Sequence, residues 1–375
     1  MNETLLITAF ILFIGIVLLK NRKKIKIQGI FPLLYVALLK TSIGLKSMGA
    51  IAKKFPKTFN AIYTTGIVIG FAGMLLIIIE LIRVTIKLFS GGGSGVVPVL
   101  PIEAKGVFYV PFLYWIISIF IIAFIHEFSH GIASRTYNIP VKSSGIAFLG
   151  LIVPIIPAAF VEPDEQKMQK QQTRKQLAVF AAGALANIIT GILFLIIALA
   201  GTNAMQEIIH YEGAEITKIS QDTPAQQAGL AINTIITGVN KQPIKNTEEI
   251  LKILTKTVPG EEWKIQTDKG EYTMKLGTRK DNGKAYMGLD LKDKITITTR
   301  NTADKIIIWL IGLLKWLFAL STGIALFNLL PAGPLDGGRM LKLVLEKYNK
   351  PRIWKIISTA TFMLVLINIA SGFIK

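Results

Sequence analysis

Apolar residues in this chain fall in long unbroken runs, without the one-sided spacing of a helix lying on a soluble core. Runs long enough to cross a bilayer occupy residues 5–19, 61–89, 107–137, 177–199, 306–330 and 353–373. The pattern therefore predicts about six membrane-spanning helices. Two apolar segments do not fit it. Residues 30–51 are interrupted by Lys40, Lys46 and several glycines, and read as a segment lying in, or dipping into, the membrane interface. Residues 145–160 (GIAFLGLIVPIIPAAF) are too short and too rich in Pro and Gly for an ordinary span. They read as a re-entrant hairpin, tolerated only where protein or a water-filled cavity satisfies the backbone. Between residues 205 and 297 the pattern changes to short alternating stretches. Residues 215–219 and 234–239 read as strands, and Asn246 followed by Glu249 caps a helix that carries Ile250, Leu251 and Leu254. Residues 263–267 and 272–276 flank a turn at 268–271, a hairpin signal. The fold class is a polytopic α-helical membrane protein of about six spans plus a re-entrant hairpin, with one inserted α+β domain.

Composition supports the membrane reading: 51% of the 375 residues are hydrophobic and the mean hydropathy is +0.52. The net charge of +19 invites a nucleic-acid reading, but its distribution excludes one. Residues 205–297 carry 13 basic and 13 acidic side chains, so the excess lies wholly in the membrane portion, and no acidic residue occurs between Thr4 and Ile79. That asymmetry is the positive-inside pattern together with attraction to lipid headgroups. It places the basic clusters at 21–26, 53–57, 135–142, 167–175 and 342–355 in the cytoplasm, with 90–105 and 201–301 outside. The amino-terminal run reads as a retained signal anchor, because its basic residues follow the apolar stretch. The chain has no cysteine, which excludes disulfides, thiolate metal sites and cysteine-nucleophile chemistry.

Two of the three histidines of the chain lie in His126-Glu127-Phe128-Ser129-His130, inside the third apolar run. Imidazoles four residues apart on a helix sit about 40° apart around its axis, so both reach one metal ion, and a Glu beside them can take a proton from water. Ionisable groups at membrane depth are expensive and mark function. A catalytic zinc site needs a third protein ligand. The best candidate is Asp336, in a stretch where Pro331 and Pro334 break a long apolar run and free the backbone to turn inward. Glu80, also within an apolar run, has Arg83 three residues on and reads as half of an ion pair.

With these residues on the page, the chain resembles the site-2 protease family of intramembrane zinc metalloproteases, of the type with a single PDZ domain. The resemblance rests on HExxH at 126–130, on Asn328-x-x-Pro331 followed by Leu335-Asp336-Gly337, and on Gly183-x-x-x-Asn187 between them. In the inserted domain, Pro224-Ala225-Gln226-Gln227-Ala228-Gly229-Leu230 and the following Ile236–Asn240 stretch fit a PDZ signature, with Ile232-Asn233 where Gly-Asp is usual. The matches cover roughly residues 107–340. The resemblance implies one Zn²⁺ per chain, bound by His126, His130 and Asp336, with Glu127 as general base that later passes the proton to the leaving amine. It implies that Asn187 and Asn328 are substrate-positioning amides, and that the 145–160 hairpin offers a strand edge to unwound substrate. Transmembrane segments of other membrane proteins are the implied substrates. The protein is then a multi-pass cell-membrane protein whose active site lies in the cytoplasmic half of the bilayer. The resemblance further implies that its PDZ-like domain, expected outside the cytoplasm, acts as a size filter or tether. The expected divisions are 1–104 for the amino-terminal membrane segments and 105–203 for the first half of the catalytic core. They continue with 204–298 for the PDZ-like domain and 299–375 for the second half of the core. The alternatives are a membrane HExxH peptidase of the prenyl-protein-processing type, or a catalytically idle scaffold or zinc sensor.

Overall fold

Six described helices are long and apolar enough to cross a membrane, one for each predicted run. The computed structural model describes residues 3–30, 34–91, 95–151, 153–205, 209–279, 283–297 and 301–374. The chain divides into two compact units, Met1–Ala198 with Leu310–Lys375, and Leu199–Trp309.

In the first unit, α1 (Glu3–Lys20) is apolar all round and buries only Ile14, as a helix does when lipid is its solvent. β1 (Ile25–Ile30) and β2 (Leu34–Thr41) follow, then α2 (Leu45–Lys54) and the long α3 (Pro56–Phe89). The described part of residues 30–51 thus holds a strand and the start of a short helix, secondary structure that the apolar pattern did not specify. The reason is tertiary: β2 finds a partner about a hundred residues away, pairing Lys40 with Gly145 and Leu38 with Ala147. On α3, Arg83 grips Glu80 through two bonds of 2.8 and 2.6 Å, so the intramembrane acid is neutralised on its own helix. Two short strands, β3 (Val99–Leu100) and β4 (Phe108–Tyr109), precede α4 (Phe112–Thr136). The re-entrant segment is an antiparallel pair, β5 (Val141–Leu151) and β6 (Val153–Pro163), and the four-stranded sheet runs β1-β2-β5-β6. α1 covers one face of it, packing Phe10 and Ile14 on Tyr35, Ala37 and Phe148. The foot of the sheet is tied by Glu162, whose carboxylate meets Lys40 Nζ of β2 at 2.5 Å and accepts from Ser143 Oγ of β5 at 2.5 Å. Among the described residues, β6 is an edge strand. A short helix, α5 (Glu165–Gln169), then leads to α6 (Thr173–Ala204).

The inserted unit begins with β7 (Ile209–Ile219) and α7 (Pro224–Gln227), then β8 (Ile235–Val239), β9 (Gln242–Pro243) and α8 (Thr247–Leu254). β10 (Glu262–Thr267) and β11 (Gly270–Lys275) form the expected hairpin, and β12 (Gly277–Thr278), β13 (Ala285–Tyr286) and β14 (Leu289–Ile297) complete it. The main sheet runs β11-β10-β8-β7-β14, with β9 on β8. Asn246 caps α8 by accepting from Glu249 N–H at 3.0 Å, while the Glu249 carboxylate accepts from Lys245 N–H at 2.7 Å. At Ile232-Asn233, where Gly-Asp is usual, the left-handed conformation falls on Asn233, with a φ of 60°, which Asn tolerates better than most residues. The unit is the PDZ-like domain the sequence resemblance implies. Its core of Ile216, Ile236, Ile250, Trp263, Ile265 and Met274 is closed to solvent. Trp263→Ala is expected to cost about 3–5 kcal/mol, read as faster protease cleavage between residues 209 and 297 of the full-length protein. Unchanged protection would contradict the assignment of this core.

The chain returns to the first unit through α9 (Thr302–Asn328), α10 (Asp336–Lys347) and α11 (Pro351–Ile374). Asn368 Nδ2 of α11 donates to Thr85 Oγ1 of α3 at 2.7 Å, a buried polar bond between apolar helices of the kind that fixes helix pairing in lipid.

Candidate active site

Buried positions on α4 include 115, 118, 122, 126, 129 and 133, a stripe at helical spacing that faces the bundle. His126 lies on this stripe and His130 follows one turn later. The opposing surface is α6, where Ala178, Ala181, Ala182 and Ala184 are all buried; small side chains let two helix backbones approach closely. Ser129 Oγ donates to the Ala182 carbonyl at 3.0 Å, holding α4 against α6. Gly183 sits opposite the imidazoles, and a Cβ built there would lie 2.5 Å from both Nε2 atoms. Only glycine leaves that space open.

Asp336 reaches the same place from the other end of the bundle. α9 stops at Asn328, and Pro331 and Pro334 keep the next residues out of helix. Gly333 turns the chain at φ 36°, its N–H donating to Ser358 Oγ of α11 at 2.7 Å. α10 then begins at Asp336 itself. Gly337 and Gly338 let the new helix press on the break, since a Cβ at Gly337 would strike the Leu329 carbonyl and one at Gly338 would lie 2.6 Å from the Ala332 carbonyl. Asp336 is only 8% exposed.

The three side chains converge. His126 Nε2 and His130 Nε2 are 3.2 Å apart, and Asp336 Oδ2 lies 3.1 Å from the first and 3.3 Å from the second. Despite these distances Asp336 Oδ2 is buried without a hydrogen-bond partner: the atoms are close but not aligned as donor and acceptor. A tetrahedral zinc ion with ligands at about 2.0–2.1 Å requires ligand atoms roughly 3.3 Å apart. Two imidazole nitrogens and a carboxylate oxygen at these separations, around the Gly183 notch, fit such an ion. His130 Nδ1–H donates to the Val179 carbonyl at 2.7 Å, which fixes the tautomer and leaves the Nε2 lone pair for a metal.

Glu127, next along α4, turns to the sheet. Its carboxylate accepts from Val161 N–H of β6 at 3.0 Å. Val161 stands opposite Ser144 in the β5–β6 pairing, but its N–H is turned away from β5, to the edge that no described strand pairs, where Glu127 takes it. A cavity of about 300 Å³ is lined by His126, Glu127, His130, Val161, Asn328 and Asp336, among others. Asn328 therefore stands on the cavity wall, its Nδ2 donating to the Ile324 carbonyl at 3.1 Å. Asn187 does not line this cavity. It is fully buried behind His126, with its side-chain amide nitrogen 3.2 Å from His126 Nδ1, and its backbone carbonyl accepts from Ser321 Oγ of α9 at 2.8 Å. The Val179 carbonyl and the Val161 N–H were invisible to sequence reasoning, because any residue offers those groups. Arg339, on the cavity wall with its guanidinium 5.8 Å from the Phe180 ring centre, was also missed; it lies just past the Asp-Gly-Gly stretch but carries no motif signal.

Known proteins bear on this geometry. An uncharacterized protein of Methanocaldococcus jannaschii is 30% identical over 346 residues, spanning 90% of this chain and 84% of that protein. Among solved structures, the PDZ domain of an SdrC-like protein from Listeria monocytogenes aligns with 22% of this chain and 88% of its own, at 22% identity and a TM-score of 0.21. The corresponding domain from Listeria innocua aligns with 21% of this chain and 92% of its own, at 22% identity and a TM-score of 0.20. The model of Peptidase family M50 matches residues 114–368, a stretch that begins in α4, ends in α11 and contains every residue of the His126, His130 and Asp336 cluster. The chain belongs to peptidase family M50, the site-2 protease family of membrane metallopeptidases.

Proposed function

We propose that this protein is a zinc-dependent intramembrane endopeptidase that hydrolyses peptide bonds within transmembrane segments of other membrane proteins. The observation that carries this reading is the convergence of His126 Nε2, His130 Nε2 and Asp336 Oδ2 within 3.1–3.3 Å of one another, beside a backbone with no side chain at Gly183. His126, His130 and Asp336 would hold a zinc ion, which would supply Lewis acidity to the scissile carbonyl and to water near neutral pH. Glu127 takes a proton from the attacking water as its oxygen bonds to the carbonyl carbon, and returns that proton to the leaving amine as the C–N bond breaks. A transmembrane helix hides its carbonyls in its own hydrogen bonds, so it must unwind locally before attack. The free edge of β6 offers replacement bonds to the unwound stretch. Asn328, on the cavity wall, holds substrate backbone or the developing oxyanion without adding charge.

For Asn187 we infer a positioning role in place of the substrate contact implied by family resemblance. With its amide oxygen turned to the ring, Asn187 accepts His126 Nδ1–H and leaves Nε2 as the metal-binding lone pair. The distribution of basic residues supports an orientation with the cluster in the cytoplasmic half of the bilayer and the inserted unit outside. Supply of the third ligand by Asp336, with no downstream Glu needed, favours this reading over the prenyl-processing type.

The test is cleavage of a single-span substrate co-reconstituted with the purified protein in liposomes. Mass spectrometry should place the cut inside the apolar segment, and a zinc chelator should stop it. Cuts confined to the soluble tail would favour the prenyl-processing alternative.

A further inference from the structure

Glu127 borders two cavities. Besides the one it shares with the metal ligands, it lines a second of about 270 Å³ that has Phe160 and Val161 in common with the first. The rest of this second wall is almost wholly apolar: Phe120, Phe124 and Phe128 of α4, Ile43 and Met48, and Ile146 and Ala159 of the sheet. Among the described residues, Glu127 is its one ionisable lining residue. Met48 is buried, whereas Phe120 and Phe124 are 44% and 48% exposed, so the cavity has a closed floor and an open mouth.

We propose that this cavity is a specificity subsite that receives a large apolar side chain, aromatic or branched aliphatic, from a substrate residue beside the scissile bond. The inference rests on the endopeptidase reading and names what that reading leaves open. A strand laid along the free edge of β6 sends successive side chains to opposite faces. When backbone pairing supplies affinity, pockets for alternate side chains supply selectivity. The outward-turned Val161 N–H marks that edge, and Glu127 stands where the edge, the metal side and the apolar cavity meet. A side chain entering the cavity therefore belongs to a residue next to the bond that Glu127 serves. Size permits it: an apolar cavity of about 150 Å³ accepts a benzene ring. Charge narrows it further, because an acidic side chain would meet the Glu127 carboxylate in an apolar wall. The open mouth makes a lipid acyl chain the competing occupant.

The test uses full-length protein in liposomes and synthetic single-span peptides whose cut site has been mapped. Each of three positions on either side of the cut is changed between Ala, Phe, Trp and Asp, and rates are compared within one protein variant, so differences in active fraction cancel. One position should favour Phe over Ala by about tenfold, the scale of discrimination an apolar pocket provides, and reject Asp. Ala159→Leu, which narrows the cavity, should bring that ratio near one. Phe124→Ala, which widens it, should raise Trp relative to Phe at the same position. Peptides cut without apolar preference, or a preference unmoved by both variants, would overturn the subsite alone. Rates that follow lipid chain length and ignore the peptide residue would assign the cavity to lipid. Peptides never cut by the zinc-loaded wild type would overturn the endopeptidase reading and the subsite with it.

Discussion

Glu127→Gln is expected to lower peptide-bond hydrolysis by a factor on the order of 10² to 10⁴ while leaving the metal content unchanged. The substitution separates base from ligand. Gln matches Glu in shape, and its amide oxygen can still accept from the Val161 N–H that lies 3.0 Å from the Glu127 carboxylate, so β6 and α4 keep their contact. The lost capacity is proton acceptance. The three atoms that fit an ion come from His126, His130 and Asp336, so the ion does not depend on Glu127. Initial rates on a single-span substrate, measured beside metal analysis of the same preparation, check both halves. Metal lost with the activity would make Glu127 a ligand, and full activity would require another base.

Gly183→Ala should divide fold from function even more sharply. In a helix interior, Ala is favoured over Gly by roughly 0.5–1 kcal/mol, so α6 should form at least as well. The new Cβ, however, would lie 2.5 Å from both Nε2 atoms. α6 cannot step back easily, because Ala181, Ala182 and Ala184 around it are already packed to 0–1% exposure. The imidazoles must give way instead. The expected result is a metal affinity lower by at least about 100-fold, the upper end of what loss of ligand orientation costs, and activity lost with it. Helix content by circular dichroism should be unaltered. Competition titration with a chromogenic chelator reads the affinity, and wild-type affinity in this variant would show that the notch is not needed.

The parts of the site that were legible in the sequence are those encoded locally. The pairing of His126 with His130 follows from helical spacing alone, and the six spans follow from apolar run length. Asp336 was legible for a different reason: an acid beside two prolines at the end of an apolar run is anomalous in a membrane protein. Asn187 was visible as an intramembrane amide, but its place behind His126 depends on how α6 packs against α4, and no residue pattern encodes that. The strand at Leu34–Thr41 was not legible for a related reason. An apolar stretch containing Lys40 shows no strand signal of its own until β5 supplies a partner for β2 and Glu162 meets the lysine. Long-range pairing decided the structure there, and the local sequence was compatible with either outcome.

The central claim is that one cation is gripped jointly by residues of α4 and the first residue of α10. Metal stoichiometry of purified wild type against Asp336→Ala, both saturated with zinc and then desalted, tests it most directly. The account predicts one equivalent of zinc per wild-type chain and almost none in the variant. A full equivalent retained by Asp336→Ala would contradict it.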